Sequence, residues 1–335
     1  MSTHPPSTAR DDQPTPTRPD RPVIVQSEHL DAVCGAWLGE RADLCVVAFD
    51  DPAFEESLAE AEGLLVRTYT QVNASLLERA PKLRCVGRAG VAVENIDIGA
   101  CRARGVEVVH TPGANTQSVV ELMLAFMLDA FRPRVFLEEP LASERWRSLR
   151  KELIAPRQLR DLTLGIVGFG RVGSRVAELA RVLGMQVVFT ELREIPAHER
   201  FGAEPVDLDA LLAGCDVVSV HVDDRPSNRR MFSGSQFARM QDDALLINTS
   251  RGFVIDPLAL AAWLRDHPAA QAILDVHEPE PIEAGDPLLA LPNARLSPHI
   301  GAATATAHRN MSWVVRDLWG VLCGEPAVHP APDRA

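Results

Sequence analysis

The sequence predicts an α/β protein built from two doubly wound parallel sheets, and three observations carry that expectation. At 335 residues the chain is about two domains long, at roughly 100–200 residues per domain. Short runs rich in Val, Ile and Leu alternate with helical patterns, the βαβ rhythm of parallel sheets covered on both faces. The rhythm breaks once, over Phe136–Leu159, and restarts at Leu162.

Strands are expected at Val23–Gln26, Leu44–Phe49, Leu64–Thr68, Arg84–Arg88 and Val106–His110, then at Thr163–Gly168, Gln186–Thr190, Asp216–His221, Ala244–Asn248, Ala272–Val276 and Ala294–Ser297. Asp207 is positioned to cap a helix over Leu208–Ala213, which Gly214 ends. Asp256 followed by Pro257 opens another over Leu258–Arg265. The stretch Gln117–Phe131 is apolar nearly all round, which suits a helix buried between two layers. Met1–Asp20 carries five prolines among polar residues and lacks the apolar core of a signal peptide, so a disordered tail on a cytoplasmic protein is expected.

Composition narrows the function. Hydrophobic residues make up 46% and charged residues 24%, as in ordinary globular chains. The formal charge of −12, from 34 basic and 46 acidic side chains, argues against a nucleic-acid or anionic-membrane partner, which needs a cationic surface. A small anionic substrate stays open, since one arginine fork holds a carboxylate whatever the net charge. The six cysteines include no Cys-x-x-Cys pair, so neither a disulfide framework nor a metal site is expected. No run reaches the roughly 18 apolar residues of a membrane helix.

Thr163–Gly173 reads as a strand running into Gly168-x-Gly170-x-x-Gly173, with Ser174–Leu183 continuing as an amphipathic helix. In this dinucleotide fingerprint the first glycine makes the tight turn and the second lets a pyrophosphate approach the backbone. The third lets helix and strand pack closely, and the helix N-terminus faces the phosphates. The second strand ends at Glu191, near the offset of roughly 20 residues expected for an acid that holds the adenosine ribose. Glu191 would repel a 2′-phosphate and favours NAD over NADP; Arg193 pulls the other way, and Asp223 and Asp224 tilt the balance back.

Three polar residues follow late strands: Arg251, Glu280 and His299. Ligands of open α/β sheets bind at the carboxyl ends of strands. An arginine fork there binds a carboxylate, and a histidine exchanges a proton near neutral pH. A glutamate beside that histidine raises its pKa. With a dinucleotide bound, this set describes hydride transfer coupled to proton transfer. Glu278 stands close enough to Glu280 to compete for the same role, and the spacing to the following proline favours Glu280. His221 and His277 suit structural or cofactor-proximal positions better than catalytic ones.

At these motifs the chain resembles the D-isomer-specific 2-hydroxyacid dehydrogenase family over about residues 60–305. The segments Leu246–Gly252, Leu274–Pro281 and Ser297–Gly301 match the family's arginine, glutamate and histidine segments. Gly87–Asp97 and Thr111–Leu122 look like its substrate-domain loop and interdomain helix. The resemblance implies a Rossmann cofactor domain over 118–301 and a flavodoxin-like substrate domain over 21–117, completed by 302–330. It implies that Arg251 binds the substrate, His299 is the acid/base and Glu280 its partner. Gly168, Gly170, Arg171, Val172, Gly173, Glu191, His221, Val222, Thr249, Asp275, His299 and Gly301 would line NAD, with Asp275 on the nicotinamide carboxamide. Arg67 with the backbone of Ala89, Gly90 and Val91 would take the substrate carboxylate. A homodimer built on the cofactor domain and a substrate clamped between domains are further implications.

The departures lie away from the chemistry. Ala92 and Glu94 replace a glycine and an aspartate in the substrate loop, His221-Val-Asp-Asp replaces His-x-Pro, and Val120 replaces an alanine. The leading expectation is an NAD-dependent enzyme acting on a small 2-hydroxy or 2-oxo acid. The alternative is an NAD-sensing corepressor of the same fold, which steady NADH oxidation with 2-oxo acids would distinguish.

Overall fold

A computed structural model describes residues 21–333; the tail expected at 1–20 lies outside them. The chain divides into two compact units, one running up to Asn115 and resuming from Ala302, the other Thr116–Gly301.

The first unit holds a five-stranded parallel sheet: β1 (Val23–Gln26), β2 (Asp43–Val46), β3 (Gly63–Val66), β4 (Cys85–Arg88) and β5 (Glu107–Val109), in the order β2-β1-β3-β4-β5. Its middle strand β3 is buried along its length, as a strand covered on both faces must be. One face packs Leu58, Leu76, Leu77 and Ile98; the other packs Cys34, Leu38, Leu318 and Trp319. The helix Val314–Leu322 thus returns from the end of the chain to cover the second face. Asp31, Asn73, Asp97 and Thr304 each accept a backbone N–H at a helix start, replacing donors the first turn leaves unpaired.

The second unit holds seven parallel strands: β6 (Thr163–Val167), β7 (Gln186–Thr190), β8 (Glu204–Pro205), β9 (Val217–Val220), β10 (Leu245–Asn248), β11 (Gln271–Leu274) and β12 (Ala294–Leu296), in the order β12-β11-β10-β9-β6-β7-β8. The sequence pattern misses β8, a two-residue edge strand with both residues exposed and no apolar run to mark it. Asp207 and Asp256 cap their helices as their spacing predicts.

One expectation is corrected. The helix Thr116–Phe131 is buried on one face only, through Ser118, Val119, Val120, Met123 and Met127, while Ala125 and Leu128 are exposed. An apolar pattern all round a helix shows that the helix is to be covered, without showing that its own chain covers it. Among the described residues, no helix is long and apolar enough to cross a membrane.

Candidate active site

Strand register assembles the site in the second unit. Thr190 pairs with Val167, Val167 with Val220, Val220 with Asn248, Asn248 with Leu274, and Leu274 with Leu296. The next residue on each strand is therefore Glu191, Gly168, His221, Thr249, Asp275 and Ser297. Six residues distant in sequence form one row along the carboxyl edge. β6 and β9 are neighbours although β7 and β8 intervene in the chain, so their ends mark the point where connections leave to opposite faces and ligands bind.

Two glycines of this edge, Gly168 and Gly173, are required by close approaches. Gly168 has φ of +94°, and a Cβ there would sit 2.5 Å from the His221 carbonyl oxygen. A Cβ at Gly173 would sit 2.1 Å from the Gly168 oxygen, while one at Gly170 would meet nothing within 4 Å. Gly170 precedes the helix Arg171–Val182 and supplies no side-chain cap to its first-turn amides. Glu191 accepts from the Phe169 amide at 2.8 Å and the Leu192 amide at 2.7 Å. Among the described residues, the buried Thr249 Oγ1 and Ser297 Oγ have no hydrogen-bond partner, an arrangement that calls for a polar ligand. This edge fits a dinucleotide.

One position reads differently from the sequence pattern. Asp223 is engaged inside its own loop: it binds the Arg225 guanidinium (Nε to Oδ1, 2.7 Å) and the Asn228 amide at 2.9 Å. Arg225 thus neutralises one of the two acids expected to repel a 2′-phosphate. Burial pushes the His221 imidazole down to about 4, and its Nε2 bonds Ser219 Oγ at 2.8 Å, so it is neutral at physiological pH.

The acid/base constellation lies two residues further along the edge. His299 Nδ1 donates to Glu280 Oε2 at 2.8 Å. That bond raises the His299 pKa; desolvation and the Arg251 charge oppose it, while the Glu280 and Asp275 charges reinforce it. For Glu280, desolvation works upward, but the bonds from His299 and the His277 amide outweigh it and hold the carboxyl below its usual range. Glu278 is occupied elsewhere, with both Arg229 terminal nitrogens at 2.9 Å. His277 is structural: its amide donates to Glu280 Oε1 at 2.9 Å, and Nε2 lies 2.8 Å from the Ser297 oxygen.

Two further residues of the segment Leu246–Gly252, given no role of their own in the sequence reading, hold these loops. Asn248 is fully buried; its Oδ1 accepts from the Ser250 amide at 3.0 Å, and its Nδ2 donates to the Arg251 oxygen at 2.9 Å, fixing the turn that presents Arg251. Gly252 is the other. A Cβ there would lie 2.0 Å from the His277 carbonyl carbon, so only glycine lets the two loops meet. Asp275, 1% exposed, accepts from the Ile300 amide at 2.9 Å and the Gly301 amide at 2.7 Å. These bonds pin the chain beside His299, whose φ of +54° is a left-handed conformation disfavoured for a side-chain-bearing residue. Each Asp275 oxygen keeps a lone pair for a further donor.

In the first unit the register Gln26–Leu65–Gly87 places Glu28, Arg67 and Ala89 on one row. Ala89 N donates to the Val66 oxygen at 2.9 Å and Gly90 N to the Arg88 oxygen at 2.8 Å. Within the expected segment Ala89–Val91 the first two amides are thus engaged inside the unit, and the Val91 amide has no acceptor among the described residues.

The fold and this edge define a dinucleotide-dependent oxidoreductase scaffold, and comparison with known proteins specifies it. Residues 124–301 match the family profile described as D-isomer specific 2-hydroxyacid dehydrogenase, NAD binding domain. The chain is 37% identical over 316 residues to the (S)-sulfolactate dehydrogenase of Chromohalobacter salexigens, covering 88% of this chain and 96% of that one. It is 37% identical over 267 residues to the D-3-phosphoglycerate dehydrogenase of Archaeoglobus fulgidus, covering 79% of this chain but spanning only 50% of that one's length. The Aquifex aeolicus D-lactate dehydrogenase, solved with NAD and lactic acid, superposes with a TM-score of 0.76 at 26% identity, over 90% of this chain and 96% of that one. This chain belongs to the D-isomer-specific 2-hydroxyacid dehydrogenase family.

Proposed function

We propose that the protein is an NAD-dependent oxidoreductase that interconverts a small 2-hydroxy acid and its 2-oxo acid. The observation that carries this reading is the 2.8 Å bond between His299 and Glu280, beside the row of six edge residues. A bound nicotinamide dinucleotide supplies or accepts the hydride. Arg251 binds and polarises the substrate through its carboxylate and carbonyl oxygen. His299, with Nδ1 committed to Glu280, uses Nε2 to give a proton to the carbonyl oxygen as hydride reaches the carbon, and takes it back in oxidation. Glu280 stabilises the imidazolium. Thr249, Asp275 and the backbone to Gly301 hold the carboxamide end, and Arg171, Val172, Gly170 and Gly173 the pyrophosphate. Glu191 holds the ribose, with His221 and Val222 closing that side. From the first unit, Arg67 and the amide of Val91 serve the substrate carboxylate.

NAD is preferred to NADP on the strength of Glu191. The relatives act on phosphoglycerate, sulfolactate and lactate according to their names, so the test is a panel of 2-oxo acids. It comprises glyoxylate, pyruvate, hydroxypyruvate, 3-phosphohydroxypyruvate and 3-sulfopyruvate, each with NADH and NADPH. Steady NADH oxidation with at least one is the expected result. Stoichiometric NADH binding with no turnover on any would overturn the enzymatic reading.

A homodimer completes the proposal. Phe136 is 83% exposed, Ile154 73%, Val135 50% and Trp146 49%. So much uncovered apolar surface beside a unit's core marks an interaction face. Light scattering should give twice the chain mass, and Phe136→Asp with Ile154→Asp should halve it.

A further inference from the structure

We infer that Glu28 is a positioning residue: its carboxylate sets the backbone of Arg67–Thr70 and so aims Arg67 at the substrate. This rests on the reading of Arg67 as a substrate ligand. β1 and β3 are neighbours although β2 lies between them in sequence, so their carboxyl ends form the first unit's own crevice. Glu28 reaches across it. It accepts from the amides of Arg67 (2.9 Å), Thr68 (2.9 Å), Tyr69 (3.1 Å) and Thr70 (3.0 Å), and from Thr70 Oγ1 at 2.8 Å. Four successive amides turned inward make a concave anion site, and the protein fills it with its own carboxylate. Desolvation of Glu28 works upward, but the amides of Thr70, Arg67, Thr68 and Tyr69 outweigh it and keep the group charged.

Little else shapes this loop. Thr68 is exposed and Tyr69 is 70% exposed, its ring stacked on Phe49 at 6.3 Å between centroids, so apolar packing on the loop is slight. Its far end is tied by Ser27 Oγ to Thr70 Oγ1 at 2.7 Å and by Asn95 Nδ2 to the Thr70 oxygen at 2.7 Å. Arg67 stands at the near end, where Glu28 is what holds the amide. Without the carboxylate, Arg67 would have to be ordered at each binding event, a cost that weakens binding and leaves the chemical step alone.

The test is a cycle of Glu28→Gln, Arg67→Ala and the double variant, with KM and kcat measured on the best 2-oxo acid of the panel. Glu28→Gln should raise KM about tenfold, equivalent to 1.4 kcal/mol, with kcat within about twofold. In the Arg67→Ala background it should add less than about threefold, because the pair acts as one unit. An equal rise in both backgrounds would overturn the inference. Arg67→Ala with unchanged KM, in an enzyme that still turns over, would overturn it and the role of Arg67 while leaving the hydride chemistry standing. Hydrogen exchange supplies a readout independent of activity: amides 67–70 should exchange faster in Glu28→Gln while those of β1 and β3 keep their protection. Uniform loss across the sheet would reduce Glu28 to a general stabiliser. If Glu28→Gln does not fold, Thr70→Val removes one of the five donors and should raise KM about twofold to threefold, again only when Arg67 is present.

Discussion

The carboxyl edges of the two sheets solve the same problem with different materials. In each, a carboxylate at a strand end takes backbone amides and thereby holds a basic side chain at the edge. Asp275 is almost fully buried, takes the amides of residues 300 and 301, and pins the left-handed His299. Glu28 is half-buried, takes the amides of residues 67 to 70, and leaves the side chains of Thr68 and Tyr69 exposed. On the proposed reading, the second-unit clamp fixes a proton donor at a defined point and the first-unit clamp presets a loop that carries a binding charge. One should act on kcat and the other on KM.

The strongest way to break this contrast is to remove the two side chains being held. His299→Ala should lower kcat by about 10² to 10⁴, the range for a general acid or base. Arg67→Ala should leave kcat within a few-fold and raise KM. A KM effect alone at both positions would dissolve the distinction between a chemical and a binding edge.

Cofactor preference examines the far end of the second edge. Placing a 2′-phosphate against the Glu191 carboxylate should cost kcat/KM about 10- to 100-fold, at tenfold per 1.4 kcal/mol. The compensated Asp223–Arg225 pair contributes nothing to that barrier, so Asp223→Asn should leave the NADH to NADPH ratio unchanged. A shift in that ratio would restore Asp223 to the dinucleotide.

The clamps themselves come next. Asp275→Asn keeps one acceptor and turns an amine toward the other N–H, which should destabilise the protein by about 1–3 kcal/mol. It should also lower kcat several-fold as the chain beside His299 relaxes. Glu28→Gln should do the reverse, with a small loss in melting temperature and the larger effect on KM. Calorimetry beside steady-state kinetics separates the two outcomes.

How much of this was legible in the sequence follows from what carries each feature. The second unit announces itself through side chains and glycines. Gly168 and Gly173 are fixed by steric demands, Gly170 by the pattern they complete, and Arg251, Glu280 and His299 by chemistry, so type and spacing suffice. Glu28 was invisible because its partners are main-chain amides, which leave no residue-type signature. Asn248 and Gly252 were hidden for the same reason, since one holds backbone atoms and the other only makes room for them. Arg225 was passed over beside two conspicuous aspartates, although a bidentate pair two residues apart is the kind of local contact a charge-pattern reading could have raised. The extent of burial of the helix Thr116–Phe131 was misjudged because periodicity reports which faces are apolar and says nothing about what covers them.

The smallest expected effect is also the most diagnostic of the second edge. Reduction of a 2-oxo acid needs the His299 imidazolium, so its rate falls as pH rises through the His299 pKa. Glu280 raises that pKa above the ordinary 6.5, which carries reduction to higher pH than a free imidazole would. Glu280→Gln removes the carboxylate's stabilisation of the imidazolium, so the basic limb of the kcat/KM profile for reduction should move to lower pH. The acidic limb for oxidation, which needs the neutral ring, should move down with it. Substrate KM on the plateau should change less than about threefold, since Arg251 and not Glu280 holds the carboxylate. Glu278→Gln should leave both limbs in place, because Glu278 is bonded to Arg229. His221, held near 4 by burial, titrates too low to produce either limb. A limb that stays put in Glu280→Gln and moves in Glu278→Gln would transfer the partner's role to the other glutamate, and with it the reason Asp275 and the His277 amide hold this corner of the edge as they do.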